Sequence, residues 1–247
     1  MYLGNFLSMV AIKSPPHTSG RLGRRVFVLG GLTAVCAGCT RVDIPVIDDL
    51  QSFWQLATGS FPEAPLTRSD VSKLPYATMR AKIGRGSRGL LALGRYEGQK
   101  LFWYSKDRAL FVTRGGRVLQ TGGLPENLLG TRVKNADPVM TGLHRLTGPT
   151  DFVRWIDTDF ENRYQMKVTS RFELVRREKI EILGREHNTI FGREKNYAPD
   201  IGWKFTNRYW VDEGTGFVWK SRQYIAKSFG PLEFEVLNPA KPLPTPA

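Results

Sequence analysis

The sequence predicts a mainly β domain: a curled antiparallel sheet, or a two-layer β-sandwich or barrel-like domain, with a short N-terminal helix. Three observations carry this. First, four short runs rich in strand-forming residues follow one another: Leu90–Tyr96, Lys100–Tyr104, Ala109–Thr113 and Arg117–Thr121. Glu97-Gly98, Ser105-Lys106-Asp107 and Gly115-Gly116 separate them, and short strands joined by tight turns make an antiparallel meander. Second, Tyr164–Val175 alternates, with Tyr164, Met166 and Val168 on one face and Gln165, Lys167 and Thr169 on the other. Third, Trp203–Val211 faces Phe217–Tyr224 across Asp212-Glu213-Gly214-Thr215-Gly216. Phe205, Tyr209, Val211, Phe217, Trp219 and Tyr224 of that hairpin are large and strand-prone.

The other elements follow in chain order. Ile47–Thr58 has apolar residues at roughly the helical period, Asp48 and Asp49 in its first turn, and Gly59 as a stop, so a helix is expected there. Ser69 is expected to cap a short helical turn ending at Lys73. Leu74–Ile83 reads as a strand running into Gly84–Gly89. That glycine-rich stretch lacks the Gly-Lys-Ser/Thr ending and the following helix of a phosphate-binding loop, so it reads as a wide turn with exposed arginines. An irregular stretch from Leu128 contains Pro138 and Pro149. Phe152–Ile156 is a strand. Lys179–Glu186 is another, entered through the charged turn Arg176-Arg177-Glu178. Phe191–Asp200 reads as a loop, and Phe234–Leu237 as a last strand. The tail 239–247 has four prolines and reads as disordered or extended. With no internal repeat and no linker, residues 39–238 form one domain.

The segment Arg24–Cys39, RRVFVLGGLTAVCAGC, reads as an export signal occupying residues 1–38. It has a charged start, an apolar run from Val26 to Ala37 too short to span a bilayer, and small residues before a cysteine. Ala37-Gly38-Cys39 is the ending of a lipobox, in which lipid is attached to the Cys39 thiol and the peptide is cut just before it. Cys36 stands where a lipobox usually has Leu. Arg24, Arg25 and Phe27 match the Arg-Arg-x-Phe of a twin-arginine signal. A buried N-terminal helix or an uncleaved membrane anchor are the other readings of this stretch. A redox pair Cys36/Cys39 would need a βαβ context, and none follows. Arg41 lacks the acidic character that often retains lipoproteins in the inner membrane. The expected location is therefore the periplasmic face of the outer membrane, with inner-membrane retention as the alternative.

The chain carries a formal charge of +13, and most of it lies beyond the signal. The basic residues are scattered and no nucleic-acid motif accompanies them, so no nucleic-acid partner is expected. Anionic lipid headgroups, an acidic polysaccharide, or a generally basic solvated surface account for them. No metal and no cofactor are expected: beyond the signal only His144 and His187 remain, far apart in sequence. Asp157 and Asp159 could be read as a glycosidase pair, but Asp-Thr-Asp before a turn is more often a solvated loop. Trp103, Trp155, Trp203, Trp210 and Trp219 are candidates for stacking on sugar rings, Trp103, Trp203, Trp210 and Trp219 foremost. The competing role for this aromatic set is core packing.

Two stretches carry a resemblance. LPYATMRAKIGRGSRGLLALGRYEGQKLFWYSKDRALFVTRGGRVLQTGGLPENL, residues 74–128, resembles the signature region of the YjbF/GfcB family of group 4 capsule polysaccharide lipoproteins. YWVDEGTGFVWKSRQ, residues 209–223, resembles that family's C-terminal hairpin. The resemblance covers roughly Cys39 to Leu237 and places the family's lipid-bearing cysteine on Cys39. It implies an outer-membrane lipoprotein encoded among genes for making or exporting an extracellular polysaccharide. The expected role is a non-enzymatic accessory protein whose partners are the membrane, through the anchor, polysaccharide export or assembly proteins, and acidic polysaccharide. A carrier for a lipid or acyl chain is the second reading and a polysaccharide-modifying enzyme the third.

Overall fold

The computed structural model describes residues 66–240, apart from 135 and 229. The expected signal over residues 1–38, with Arg24, Arg25 and Phe27, lies outside the described residues. So do Cys39, the helix expected over 47–58 and the end of the proline-rich tail.

Twelve strands form one antiparallel sheet in the order β5-β4-β3-β2-β1-β12-β11-β10-β9-β8-β7-β6. Their ranges are β1 Thr78–Ile83, β2 Arg88–Glu97, β3 Lys100–Ser105, β4 Leu110–Arg114, β5 Arg117–Gly122 and β6 Leu128–Val133. Then come β7 Thr150–Thr158, β8 Arg163–Ile182, β9 Arg185–Ala198, β10 Trp203–Asp212, β11 Val218–Gln223 and β12 Leu232–Asn238. Each strand pairs with its sequence neighbour, except that β1 pairs with β12 and no ladder joins β5 to β6. The sheet is thus an up-and-down barrel, nearly closed, with one seam. Side chains bridge that seam: the Leu128 N–H donates to Thr121 Oγ1 at 3.0 Å, and Asn127 bonds both ways with the Leu124 backbone. The barrel-like form of the expected fold is the one adopted, as a single curled sheet.

Among the described residues, two short helices accompany the sheet. Arg68–Ser72 (α1) is capped by Thr67 rather than by Ser69, through a capping box in which Thr67 and Asp70 each bond the other's backbone N–H. Pro138–Thr141 (α2) is capped by Asp137 and runs into a 3-10 turn at Leu143–Arg145.

Successive inward positions on a strand are two residues apart, so each strand's inward residues can be read as a column. The columns Ile156-Arg154-Phe152 on β7, Val168-Ser170-Phe172 on β8 and Phe205-Asn207-Tyr209 on β10 are all buried. Each goes from apolar to polar to apolar. One apolar layer gathers Met79, Leu91, Trp103, Phe111, Ile156, Val168, Trp203 and Phe234. The other gathers Phe152, Phe172, Tyr209, Val211 and Val218 with Val139 and Leu143 of the α2 segment. The polar middle layer lies between them.

Several expected boundaries are corrected. Leu128–Val133 is a strand, not part of an irregular stretch. Arg176-Arg177-Glu178 is no turn: β8 runs through it with only a bulge between Leu174 and Arg176, and the reversal falls at Leu183-Gly184. Phe191–Asp200 is mostly strand β9, whose inward residues Glu194 and Asn196 face the polar layer while Gly192 lies against Phe172. The β8–β9 hairpin outruns its neighbours, since β7 stops pairing at Phe172. Its tip packs Ile180 and Ile182 against Val71 of α1 and Leu237 of β12, and Arg68 of α1 donates to the carbonyls of Ile182 and Leu183.

Candidate functional site

The polar middle layer is an ion network. Arg117 of β5 donates to both carboxylate oxygens of Asp137, at 2.8 and 3.0 Å, and to both of Glu194, at 2.8 and 2.9 Å. Arg154 of β7 donates to Glu194 Oε1 and to Ser170 Oγ, both at 2.7 Å. Asn207 Nδ2 and the Tyr209 hydroxyl donate to Glu194 Oε2 at 2.8 and 3.0 Å. Two cations and two anions balance. Burial alone would push the Glu194 carboxyl up, but Arg117 and Arg154 outweigh it and hold it well below the usual carboxylate range. Burial likewise works against the charged Arg117 guanidinium, and Asp137 and Glu194 overcome it. Burial pushes the Tyr209 hydroxyl up, so it stays a donor. These groups are enclosed and partnered. What they do is lock β5, β7, β9, β10 and the α2 segment in one arrangement.

That arrangement sets the outer surface of the same strands. Outward residues form two rows in cross-strand register. One is Asp151-Arg171-Lys195-Thr206 and the other Val153-Thr169-Tyr197-Lys204, each crossing β7, β8, β9 and β10. A depression of about 780 Å³ lies over them, lined by Lys134, Arg171, Lys195, Lys204, Tyr197 and Asp151 among others. A second, of about 300 Å³, is lined by Lys204, Thr206, Arg208, Arg222 and Tyr224. The two share Lys204, Phe205 and Thr206, so they make one trough running from β7 to β11. Tyr197 is 41% exposed, with Lys204 Nζ 5.7 Å from its ring centre.

The trough is cationic. Asp151 pairs with Arg171 at 2.9 Å, and Glu173 binds Arg193 and lies 3.9 Å from Lys195. Arg193 draws the Glu173 carboxyl below its ordinary value. Among the described residues no acid pairs with Lys134, Lys167, Lys204 or Arg208. Arg208 stands opposite Arg193 on one side and Arg222 on the other. Arg222 Nε lies 3.4 Å from Glu233 without forming a hydrogen bond.

The tryptophans expected to stack on sugars divide. Trp103 and Trp203 are 2% and 7% exposed and belong to the core: Trp103 donates to Thr113 Oγ1 at 2.9 Å, and Trp203 stacks on Phe205 at 4.0 Å. Their faces are covered, so core packing takes these two. Trp155, Trp210 and Trp219 are half-buried. Trp210 donates to Glu178 and packs on Phe191; Trp219 donates to Asp212 and packs at a tilt against His187, ring centres 3.9 Å apart. Trp219 shares a small, mainly apolar pocket with the buried Trp103, and Trp155 and Trp210 line no cleft with another tryptophan among the described residues. Asp157 pairs with Arg132 and accepts the Gln165 N–H, while Asp159 accepts two bonds from Asn127. Both carboxylates fasten turns. Lys204, Arg208 and Tyr197 were not singled out from sequence; only the register shows that they line one trough.

Residues 51–237 match the model of a protein family described as group 4 capsule polysaccharide lipoprotein gfcB, YjbF. The chain belongs to the YjbF family. Among its relatives in Escherichia coli (strain K12) is the uncharacterized lipoprotein GfcB, 29% identical over 220 residues, which cover 87% of this chain and 99% of that protein. The uncharacterized lipoprotein YjbF of the same strain is 25% identical over 194 residues, or 77% of this chain and 88% of that one. The crystal structure of the hypothetical lipoprotein YmcC from Escherichia coli superposes with a TM-score of 0.67 at 28% identity, covering 77% of this chain and 96% of that one. Family membership makes the chain a lipoprotein associated with capsule polysaccharide, and the YmcC likeness supports the barrel-like fold.

Proposed function

We propose that this protein is a lipid-anchored accessory component of extracellular or capsular polysaccharide production or export. It is held at the periplasmic face of the outer membrane by lipid on Cys39 and acts by binding polymer or partner proteins rather than by catalysis. The family match over residues 51–237 carries this reading. One acyl chain gives only marginal membrane binding, so stable anchoring takes more than one.

The carrier reading finds no support inside the barrel, where apolar and ionic layers of side chains occupy the space. The mainly apolar pocket beside Trp103, Phe217 and Phe234 holds about 130 Å³, below the roughly 300 Å³ at which small-molecule sites begin.

The test is the amount and location of polysaccharide in a strain deleted for this gene, against the same strain complemented. Secreted polymer should fall on deletion and return on complementation. Unchanged polymer under conditions that express the gene would sink the proposal.

A further inference from the structure

The outward face of β7–β11 contains an arrangement that sheet stability does not explain. Like charges directly opposite one another across a ladder are destabilising. Yet Arg171 stands opposite Lys195, and Arg208 stands between Arg193 and Arg222. Glu173 and Glu233 flank the arginine row at its two ends, leaving Arg208 at the centre with no acid of its own. Lys204, two outward positions along β10, also lacks an acid among the described residues, and its ammonium rests near the Tyr197 ring. Folds break a local rule of this kind mostly where function needs it.

The shape fits an extended ligand. The trough crosses the strands instead of running along one, and β7 to β11 is four inter-strand steps, about 19 Å at the usual spacing. It is concave, its cations recur at strand spacing, and the exposed Tyr197 offers ring surface along it. Tyrosine combines an apolar face with a polar tip, which suits a sugar ring. Exposed charges of this sort act over about a Debye length, so binding through them weakens with salt.

We infer that the β7–β11 trough binds a linear acidic polysaccharide, with Lys204, where the two depressions adjoin, and Arg208, in the smaller one, holding the polymer's acid groups. The choice of a glycan among polyanions rests on the capsule-associated role proposed above. Arg208 is a binding residue here, and its removal relieves repulsion in the sheet instead of breaking a contact.

The test uses the full chain in detergent, with polygalacturonate as the anionic glycan and dextran as the neutral one. The expected result is binding to polygalacturonate that weakens with salt, and none to dextran. Lys204→Glu with Arg208→Glu should weaken it at least about tenfold. Arg85→Glu with Arg88→Glu, in the exposed β1–β2 turn, changes the net charge equally and should leave affinity within about twofold. Arg208→Gln should bind less tightly while melting at the same temperature as the parent or higher, which a merely structural arginine would not do. Absence of binding, or equal loss in both charge-reversed pairs, overturns the inference. Duplex DNA or anionic phosphatidylglycerol vesicles bound as tightly as polygalacturonate, with the same dependence on Lys204 and Arg208, would also overturn the glycan assignment. In cells the two proposals separate. If deletion lowers polymer and the Lys204→Glu/Arg208→Glu allele restores it fully, the trough is not the site and the accessory role stands. If deletion leaves polymer unchanged, the role fails and the inference with it.

Discussion

Replacing Arg117 by Met tests the claim that the ion layer holds the barrel together. The substitution keeps much of the side-chain volume and removes the charge. Asp137 would then lose its one ion pair and keep only the Val139 N–H at 2.8 Å, while Glu194 would still have Arg154, Asn207 and Tyr209. Removing one partner of a buried pair costs about 3–5 kcal/mol, because the remaining charge stays buried without compensation. At about 2–4 °C per kcal/mol for a domain of this size, melting should fall by roughly 6–20 °C. The pH dependence gives a second reading. The Glu194 carboxyl is depressed in the folded state, so the stability it lends is fully present above its unfolded value, about 4.3, and is lost as pH falls below that. Without Arg117 the depression shrinks, so the variant loses less in acid and the gap between the two proteins narrows. Denaturant titration of the full chain reads both effects through fluorescence of the buried Trp103 and Trp203. A variant within about 1 kcal/mol of the parent at neutral pH, or a gap that widens in acid, would refute the reasoning.

Three further outcomes are expected. Gly192→Ala would place its Cβ 2.5 Å from Phe172 Cζ, so overpacking should cost about 1–3 kcal/mol in thermal melting, and adding Phe172→Leu should recover part of it. Thr113→Val removes the acceptor of the Trp103 indole N–H inside the core and should cost about 1–3 kcal/mol by denaturant titration. Cys39→Ser should leave the protein soluble or stalled as precursor; unchanged membrane fractionation and processing in that variant would rule out the anchor.

The meander from β1 to β5 was legible because its apolar residues alternate and its turns carry Gly98 and Gly115-Gly116, all at positive φ. β9 was not, for a physical reason: its inward residues Glu194 and Asn196 face an ionic layer and Gly192 leaves room for the Phe172 ring, so apolar alternation disappears where the strand is most buried. The far half of β8 failed differently. Beyond Phe172 its ladder partner is β9 alone among the described residues, and Val175, Arg176, Arg177 and Lys179 are exposed, so its charged residues imitate a turn. The true reversal, Leu183-Gly184, puts Leu183 at a φ of 49°, a role for which leucine gives little warning. The candidate trough was invisible for a third reason. Arg193, Arg208 and Arg222 are unremarkable in sequence and become a row only through register, as Lys195 and Lys204 come beside them only through the same pairing, and the most conspicuous aromatic residues, Trp103 and Trp203, turned out to be core.

The pairing of β1 with β12 has a consequence for how the chain acquires its structure. β12 is held between β1 and β11, so without it the sheet parts into two meanders, β1–β5 and β6–β11. The opening strand waits unpaired on one side until nearly everything after it has been made. Contacts between residues so far apart in sequence are slow to form. Until Asn238 has left the ribosome no barrel can close, and a chain stopped a few residues short exposes two strand edges at once. The last strand therefore acts as a completeness check: only a chain that has made β12 covers the edges of β1 and β11, and one truncated before it presents them to aggregation or proteolysis.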